Sequence, residues 1–193
     1  LPEDAESQID ELIARIQSAH PESWSLIRSQ GLAYVIQSIK ADLTAFKVNF
    51  DHWFFESSLG SLSDKQSEIS LAIQKLQKNH TFEKDGAIWL ESTKFGDDKD
   101  RVIIREDGRG TYLSADLVYH KNKLDRGFNR IINVWGSDHH GYIKRIEATI
   151  EAFGYKKQQM QVQLVQFANL FEDGLKVKMS TRSGNFYTLK QLI

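Results

Sequence analysis

Apolar residues recur at helical spacing near the start of the chain, first as Ile9, Leu12, Ile13 and Ile16, then as Leu32, Val35, Ile36, Ile39 and Leu43 beyond a break at Gly31. Two helices separated at His20-Pro21 are predicted, because proline suits the first turn of a helix and not its interior. Phe46, Val48 and Phe50 then alternate, the period of a strand with one buried face, and lead into an aromatic patch from Asp51 to Glu56 that reads as core. Ser63 and Gln66 form a capping box ahead of Ile69, Ala72, Ile73 and Leu76, so a third helix is expected to end near Asn79.

Turn signals then punctuate β segments. Ala87 to Leu90 follows Asp85-Gly86, and Arg101 to Arg105 is expected to pair, through Asp107-Gly108, with the stretch around Thr111-Tyr112-Leu113. Ser114 is placed to cap a helix through Leu117, Val118 and Leu124 that stops at a C′ glycine, Gly127. Ile131 to Trp135 is a short, nearly all-apolar run, which predicts a strand of a parallel sheet buried on both faces. A helix carrying Ile143, Ile146, Ile150 and Phe153 closes at Gly154, and a second strand, Val162 to Phe167, completes a right-handed βαβ unit. The tail holds a Glu172-Asp173-Gly174 turn, a cationic loop, and a Thr188-x-x-Gln191 capping box that opens a helix. The fold class is therefore α/β.

The chain has 193 residues, enough to bury a core without staples, and no cysteine, which removes disulfides, cysteine-held zinc, iron–sulfur clusters and thiol nucleophiles together. Lys and Arg number 25 against 26 Asp and Glu, so the chain as a whole is not a general binder of polyanions, and any such contact is local. No apolar run approaches the roughly 18 residues needed to span a bilayer, and the N-terminus has no signal-peptide pattern, so a soluble chain with no membrane partner is expected.

Chemistry concentrates in three places. Beyond the carboxyl end of the first parallel strand, where open α/β sheets bind ligands, stands Gly136-Ser137-Asp138-His139-His140-Gly141-Tyr142. A glycine there lets a ligand approach, a carboxylate accepts ribose hydroxyls, and imidazoles offer donors. The same residues read alternatively as a metal site, for which consecutive side chains converge poorly, or as a polar turn capping the next helix. The second place, Lys176 to Asn185, interleaves three cations with hydroxyls and suits charge developing in phosphoryl or nucleotidyl transfer, although it is not a Walker loop and equally fits a solvated surface loop. The third is Tyr112 with Asp116, one helical turn apart. A buried carboxylate beside a phenol favours a cation, best a guanidinium, while the plainer alternative is an acid complementing a helix start.

Together these segments resemble bacterial arginyl-tRNA synthetases, members of the class I aminoacyl-tRNA synthetases. Lys178-Met179-Ser180-Thr181-Arg182 is similar to the class I KMSKS loop, and Trp135 to Tyr142 to the strand-end signature of the family. Phe50 to Glu56, Ser92 to Asp100 and Thr111 to Asp116 resemble further family segments, and the likeness runs from about residue 50 onward. The resemblance implies a Rossmann-like catalytic fold, here its second half from 111 to 193, preceded over 1 to 110 by a helical and mixed α+β inserted region. It implies activation of L-arginine by ATP, accompanied by Mg²⁺, to arginyl-adenylate, then transfer to tRNA(Arg) in the cytoplasm. By that likeness Tyr112 and Asp116 hold the guanidinium; Gly136 and Asp138 approach the adenosine ribose; His139 lines the pocket between amino acid and nucleotide. Lys178, Ser180 and Arg182 steady the triphosphate, Met179 belongs to the ATP site, and no residue is assigned to a protein-held metal. Two departures stand out. Thr181 replaces the lysine of the class pattern, and His-x-Gly-His occurs nowhere in the sequence. The chain is accordingly expected to be a middle slice, without the anticodon-binding domain and inactive alone. The alternatives are a truncated paralogue acting as a binding module, or another class I synthetase or adenylyltransferase.

Overall fold

The computed structural model describes residues 5–177 and 187–192. They group into two compact units, one of residues up to Trp53 with those after Lys176, the other Phe54–Lys176.

In the first unit, α1 (Ala5–Ala19) and α2 (Pro21–Ala45) form a helical pair, divided at His20-Pro21 as the proline requires. Helix α2 runs unbroken through Gly31, so the expected break is absent: one glycine costs a helix interior only about 1 kcal/mol, too little to end a 25-residue helix. Leu32, Val35 and Ile39 of the apolar stripe on α2 are exposed. The predicted strand at Phe46 to Phe50 is also absent. Lys47 takes a left-handed conformation (φ 61°), its N–H donates to Thr44 O at 2.9 Å, and Val48 N–H donates to Leu43 O at 2.8 Å. This is a Schellman stop, and the apolar alternation belongs to the chain leaving the helix. Of the aromatic patch, Phe50 meets Trp53 edge to face at 5.5 Å and remains exposed, as does Phe55.

In the second unit, α3 (Glu68–Gln77) is capped by Ser67, whose Oγ accepts from Ser70 N–H at 3.2 Å, rather than by Ser63, which lies in the preceding turn. A three-stranded antiparallel sheet follows in the order β1 (Thr81–Lys84), β2 (Ala87–Leu90), β3 (Arg101–Ile104). Asp85 and Gly86, with φ of 53° and 73°, make the I′ turn that joins β1 to β2. The expected partner of β3 at Thr111 to Leu113 is instead helical from Tyr112, and only Gly110 bridges to Ile104. Helix α4 (Tyr112–Asp125) follows Thr111 at the N-cap position, whose hydroxyl donates to Val102 O rather than capping the helix, and has Gly127 at its C′ position (φ 88°). Ser114, the expected cap, is buried within the first turn and donates its hydroxyl to Ile103 O, pinning α4 to β3.

Strands β4 (Ile131–Gly136) and β5 (Met160–Val165) pair in parallel, Ile131 opposite Met160 and Gly136 opposite Val165, with α5 (Ile143–Ala152) as the crossover. The strand–helix–strand reading is thereby confirmed, with the second strand at Met160–Val165 rather than Val162 to Phe167. Burial on both faces is not: Ile131 and Asn133 point into the core while Ile132 and Val134 are 58% and 67% exposed. An apolar run permits two-sided burial, but what packs on each face decides it. One hydrophobic cluster, including Leu59, Leu76, Leu90, Leu117 and Ile146, unites α3, β2, β3, α4 and α5, with Phe54 packed on its edge. A small hairpin, β6 (Phe171–Glu172) and β7 (Leu175–Lys176), turns at Asp173-Gly174. In the first unit, α6 (Leu189–Leu192) opens with the expected capping box: Thr188 N–H donates to Gln191 Oε1 at 2.8 Å, and Gln191 N–H to Thr188 Oγ1 at 3.3 Å. Among the described residues no helix is long and apolar enough to cross a membrane.

Candidate functional site

Helix α4 presents its buried stripe, Leu113, Leu117, Val118 and Leu124, to the core, which leaves Asp116 half-buried at the stripe's edge. Asp116 lines a cleft of about 370 Å³ together with Tyr119, His120, Lys123, Val134, Trp135, Gly136, His139 and Tyr142. The cleft opens at the carboxyl end of β4, where a parallel sheet offers unfilled space beyond its strands.

The phenol beside Asp116 is not Tyr112. Tyr142 donates its hydroxyl to Asp116 Oδ2 at 2.8 Å, whereas Tyr112 is 89% exposed and faces a separate concavity with Glu56, Arg105 and Arg109. Asp116 and Tyr112 border adjoining hollows that share Glu56 and Ala115. Burial, reinforced by the Asp116 hydrogen bond and charge, pushes the Tyr142 phenol well above its ordinary range. It is a donor at any physiological pH, and the carboxylate keeps its other lone pairs for a ligand.

A polar relay, with His120 and Asn133 buried, forms part of the cleft wall. His120 Nδ1 lies 2.8 Å from the backbone oxygen of Asp116, which only accepts, so Nδ1 carries the proton and Nε2 accepts from Asn133 Nδ2 at 2.9 Å. Asn133 Oδ1 in turn accepts from Lys123 Nζ at 2.9 Å, and that ammonium lies 4.1 Å over the Tyr119 ring. Burial, with the Lys123 charge, lowers His120 to about 4, so the imidazole is neutral. Burial and the nearby Arg126 bring Lys123 down to about 8, against the pull of Asp116. Sequence reasoning missed this relay. The available signal was Asn133 itself, an amide in an otherwise apolar strand, which must find a partner when buried.

The strand-end segment forms a 3-10 turn, Ser137–Tyr142. Gly136 and His139 line the cleft with Asp116. Asp138 folds back so that a Cβ on Gly136 would sit 2.5 Å from its Oδ1, and its Oδ2 is 3.6 Å from His139 Nε2, both side chains being mainly exposed. His140 turns away to the Ser137 carbonyl, and Ser137 Oγ donates to Gln166 Oε1 at 2.9 Å, tying the ends of the two parallel strands. Lys178, Met179, Ser180, Thr181 and Arg182 lie outside the described residues.

The Ser92 to Asp100 segment is a self-closed loop. Asp100 Oδ1 accepts from Thr93 N–H and Oγ1 at 3.0 and 2.7 Å, and Ser92 Oγ donates to Lys99 O at 2.8 Å. Asp97 takes Arg101 in a buried two-pronged ion pair, both bonds 2.8 Å. Arg101 begins β3, the strand whose Val102 and Ile103 carbonyls receive Thr111 and Ser114 of the α4 start. The loop therefore stiffens the platform from which Asp116 projects.

Residues 3–193 match the family model of tRNA synthetases class I (R), catalytic domain. The arginine–tRNA ligase of Oceanobacillus iheyensis is 52% identical over 174 residues, 90% of this chain and 31% of that protein. That of Bacillus subtilis is 46% identical over 179 residues, 92% of this chain and 32% of that protein. The chain thus spans about a third of the length of the curated relatives it matches. Among solved structures, a Campylobacter jejuni protein assigned as an arginyl-tRNA synthetase superposes with a TM-score of 0.76 at 33% identity, over 100% of this chain and 43% of that one. The Thermus thermophilus arginyl-tRNA synthetase, at 16% identity and a TM-score of 0.59 over 79% of this chain and 33% of its own, shares the fold.

Proposed function

The chain belongs to the class I (R) tRNA synthetases, as part of their catalytic domain, and from that premise we propose that the protein it builds activates L-arginine with ATP and transfers it to tRNA(Arg). The observation that carries the substrate is Asp116, a half-buried carboxylate with one oxygen held by a neutral phenol, at the mouth of a cleft beyond a parallel strand. A planar guanidinium matches the open edge of such a carboxylate through two parallel hydrogen bonds.

In this reading a carboxylate oxygen of bound arginine attacks the α-phosphorus of ATP: the new oxygen–phosphorus bond forms as the bond from that phosphorus to the oxygen bridging to the β-phosphate breaks, and pyrophosphate leaves with Mg²⁺, which enters as part of the ATP substrate. The adenylate is then opened by a ribose hydroxyl of the tRNA terminus, and AMP departs. No enzyme nucleophile is required, so catalysis is positioning and charge stabilisation. Asp116 anchors the guanidinium, and Tyr112 contributes its exposed ring from the adjoining hollow. Gly136 and Asp138 receive the ribose, His139 separates amino acid from nucleotide, and Met179 completes the ATP site. Lys178, Ser180 and Arg182 balance the triphosphate charge. We assign anticodon recognition to the parts of the longer relatives that this chain does not match, and place the reaction in the cytoplasm, with translation.

The test is arginine-dependent ATP–pyrophosphate exchange by the full-length protein. Asp116→Asn removes the charge and one acceptor, and is expected to raise the arginine KM by about 100-fold, the loss of a charge-assisted two-pronged contact worth about 3 kcal/mol. An arginine KM unchanged by Asp116→Asn would overturn the assignment.

A further inference from the structure

Tyr142 is the last residue of the 3-10 turn that starts beside Gly136, and its hydroxyl bonds a carboxylate 26 positions earlier in the chain. The single 2.8 Å bond is a direct link between the nucleotide-side turn and Asp116 on α4. The ring itself is fixed: it meets Trp135 edge to face at 6.1 Å and carries the Arg145 guanidinium 5.2 Å from its centroid. A carboxylate alone rotates freely about its last bond. One held through Oδ2 by a phenol on a rigid turn presents Oδ1 and the remaining Oδ2 lone pair in a set plane.

Resting on the arginine reading above, we propose that Tyr142 is a positioning and specificity residue, which fixes the plane of Asp116 so that the site favours a guanidinium over a simple ammonium. The two cations differ in what they demand. A guanidinium is a flat fork that needs both carboxylate oxygens in its own plane, while an ammonium is a compact charge with rotatable donors that tolerates any carboxylate orientation. Releasing Asp116 therefore penalises arginine more than lysine. Tyr142 acts through Asp116 and need not touch the reacting atoms.

Tyr142→Phe in the full-length protein removes the hydroxyl and keeps the ring contacts. The expected result is an arginine KM raised about tenfold, the scale of one hydrogen bond to a charged group, with kcat and the ATP KM within about twofold of wild type. The inhibition constant of L-lysine stays near its wild-type value, so the preference for arginine narrows by the same factor. Tyr155→Phe is the control, because Tyr155 makes the same kind of bond to Asp125 near the far end of α4; wild-type kinetics are expected. The proposal fails if Tyr142→Phe leaves both the arginine KM and the lysine comparison unchanged while Asp116→Asn raises the arginine KM as expected, an outcome that leaves the arginine reading standing. It also fails if kcat or the ATP KM changes while the arginine KM does not, or if Tyr155→Phe causes the same loss. Absence of arginine-dependent exchange in the wild-type protein would remove the arginine reading and the proposal together.

Discussion

Replacing Asp97 with alanine strands a buried cation. The Asp97 side chain has no exposure and that of Arg101 only 9%, and the guanidinium spends two bonds of 2.8 Å on that one carboxylate. The next acid, Asp98, is 3.7 Å away and 70% exposed, too wet and too distant to substitute. Breaking one side of such a pair costs about 3–5 kcal/mol, a large part of the 5–15 kcal/mol that holds a domain together. Burial by itself would raise the Asp97 carboxyl. The hydrogen bonds from Arg101 and from Asp98 N–H, with the Arg101 charge, outweigh it and hold the group at about 2, against 3.8 when unperturbed. An acid whose folded value is depressed contributes stability above its unfolded value and loses it as pH falls through the folded one. Here about 2 kcal/mol disappears between pH 4 and 2.

Urea unfolding followed by far-UV circular dichroism and tryptophan fluorescence measures both effects. At pH 7 Asp97→Ala should lower the unfolding free energy by about 3–5 kcal/mol, and adding Arg101→Met should restore at least half of it, because an apolar replacement of a whole buried pair is nearly neutral. The double variant should lose about 2 kcal/mol less than wild type between pH 4 and 2, the share that Asp97 carries. A loss below about 1 kcal/mol for Asp97→Ala, or a double variant no better than the single, would refute the view that the pair matters as a pair.

His120 gives a second pH signature with its own window. As a base whose folded value, about 4, lies below its unfolded 6.5, it adds stability above pH 6.5 that declines as pH falls toward 4; about 2 kcal/mol of that decline falls between pH 7 and 5 and should be absent in His120→Gln, read from urea unfolding at those two pH values. In the first unit, Lys47 holds a left-handed conformation that glycine adopts without strain, so Lys47→Gly should stabilise the helical pair by about 1 kcal/mol, seen as a higher thermal midpoint; a lower midpoint would count against the Schellman reading.

The helices were legible because their periodicity is long and repeated, as in α3 and α5, where the apolar stripe and the buried face coincide. Short signals misled. Three alternating apolar residues after α2 satisfy a strand template and equally a chain leaving a helix, and the hydrogen bonds of Lys47 and Val48 settle it. Serine-rich runs such as Ser61 to Ser70 offer several caps, and the one used is Ser67, whose own hydroxyl also reaches back to Ser61 O at 2.7 Å.

The order of elements around the site, the turns at Asp85-Gly86 and Asp173-Gly174, and the residue types on which the chemistry rests, Asp116 and the Gly136 to Tyr142 segment, can be read from the order of amino acids alone. These are set by preferences acting within a few residues. That Asp116 meets Tyr142 rather than Tyr112, that His120, Asn133 and Lys123 form one relay, and that Ile132 and Val134 of β4 are exposed emerge only from the packing of the folded chain. Such pairings join residues 10 to 26 positions apart, and depend on how α4 is set against β4 and the turn that follows it. No local rule encodes that geometry, because it is fixed by the shared core of Leu117, Ile131 and Ile146 on which those elements close.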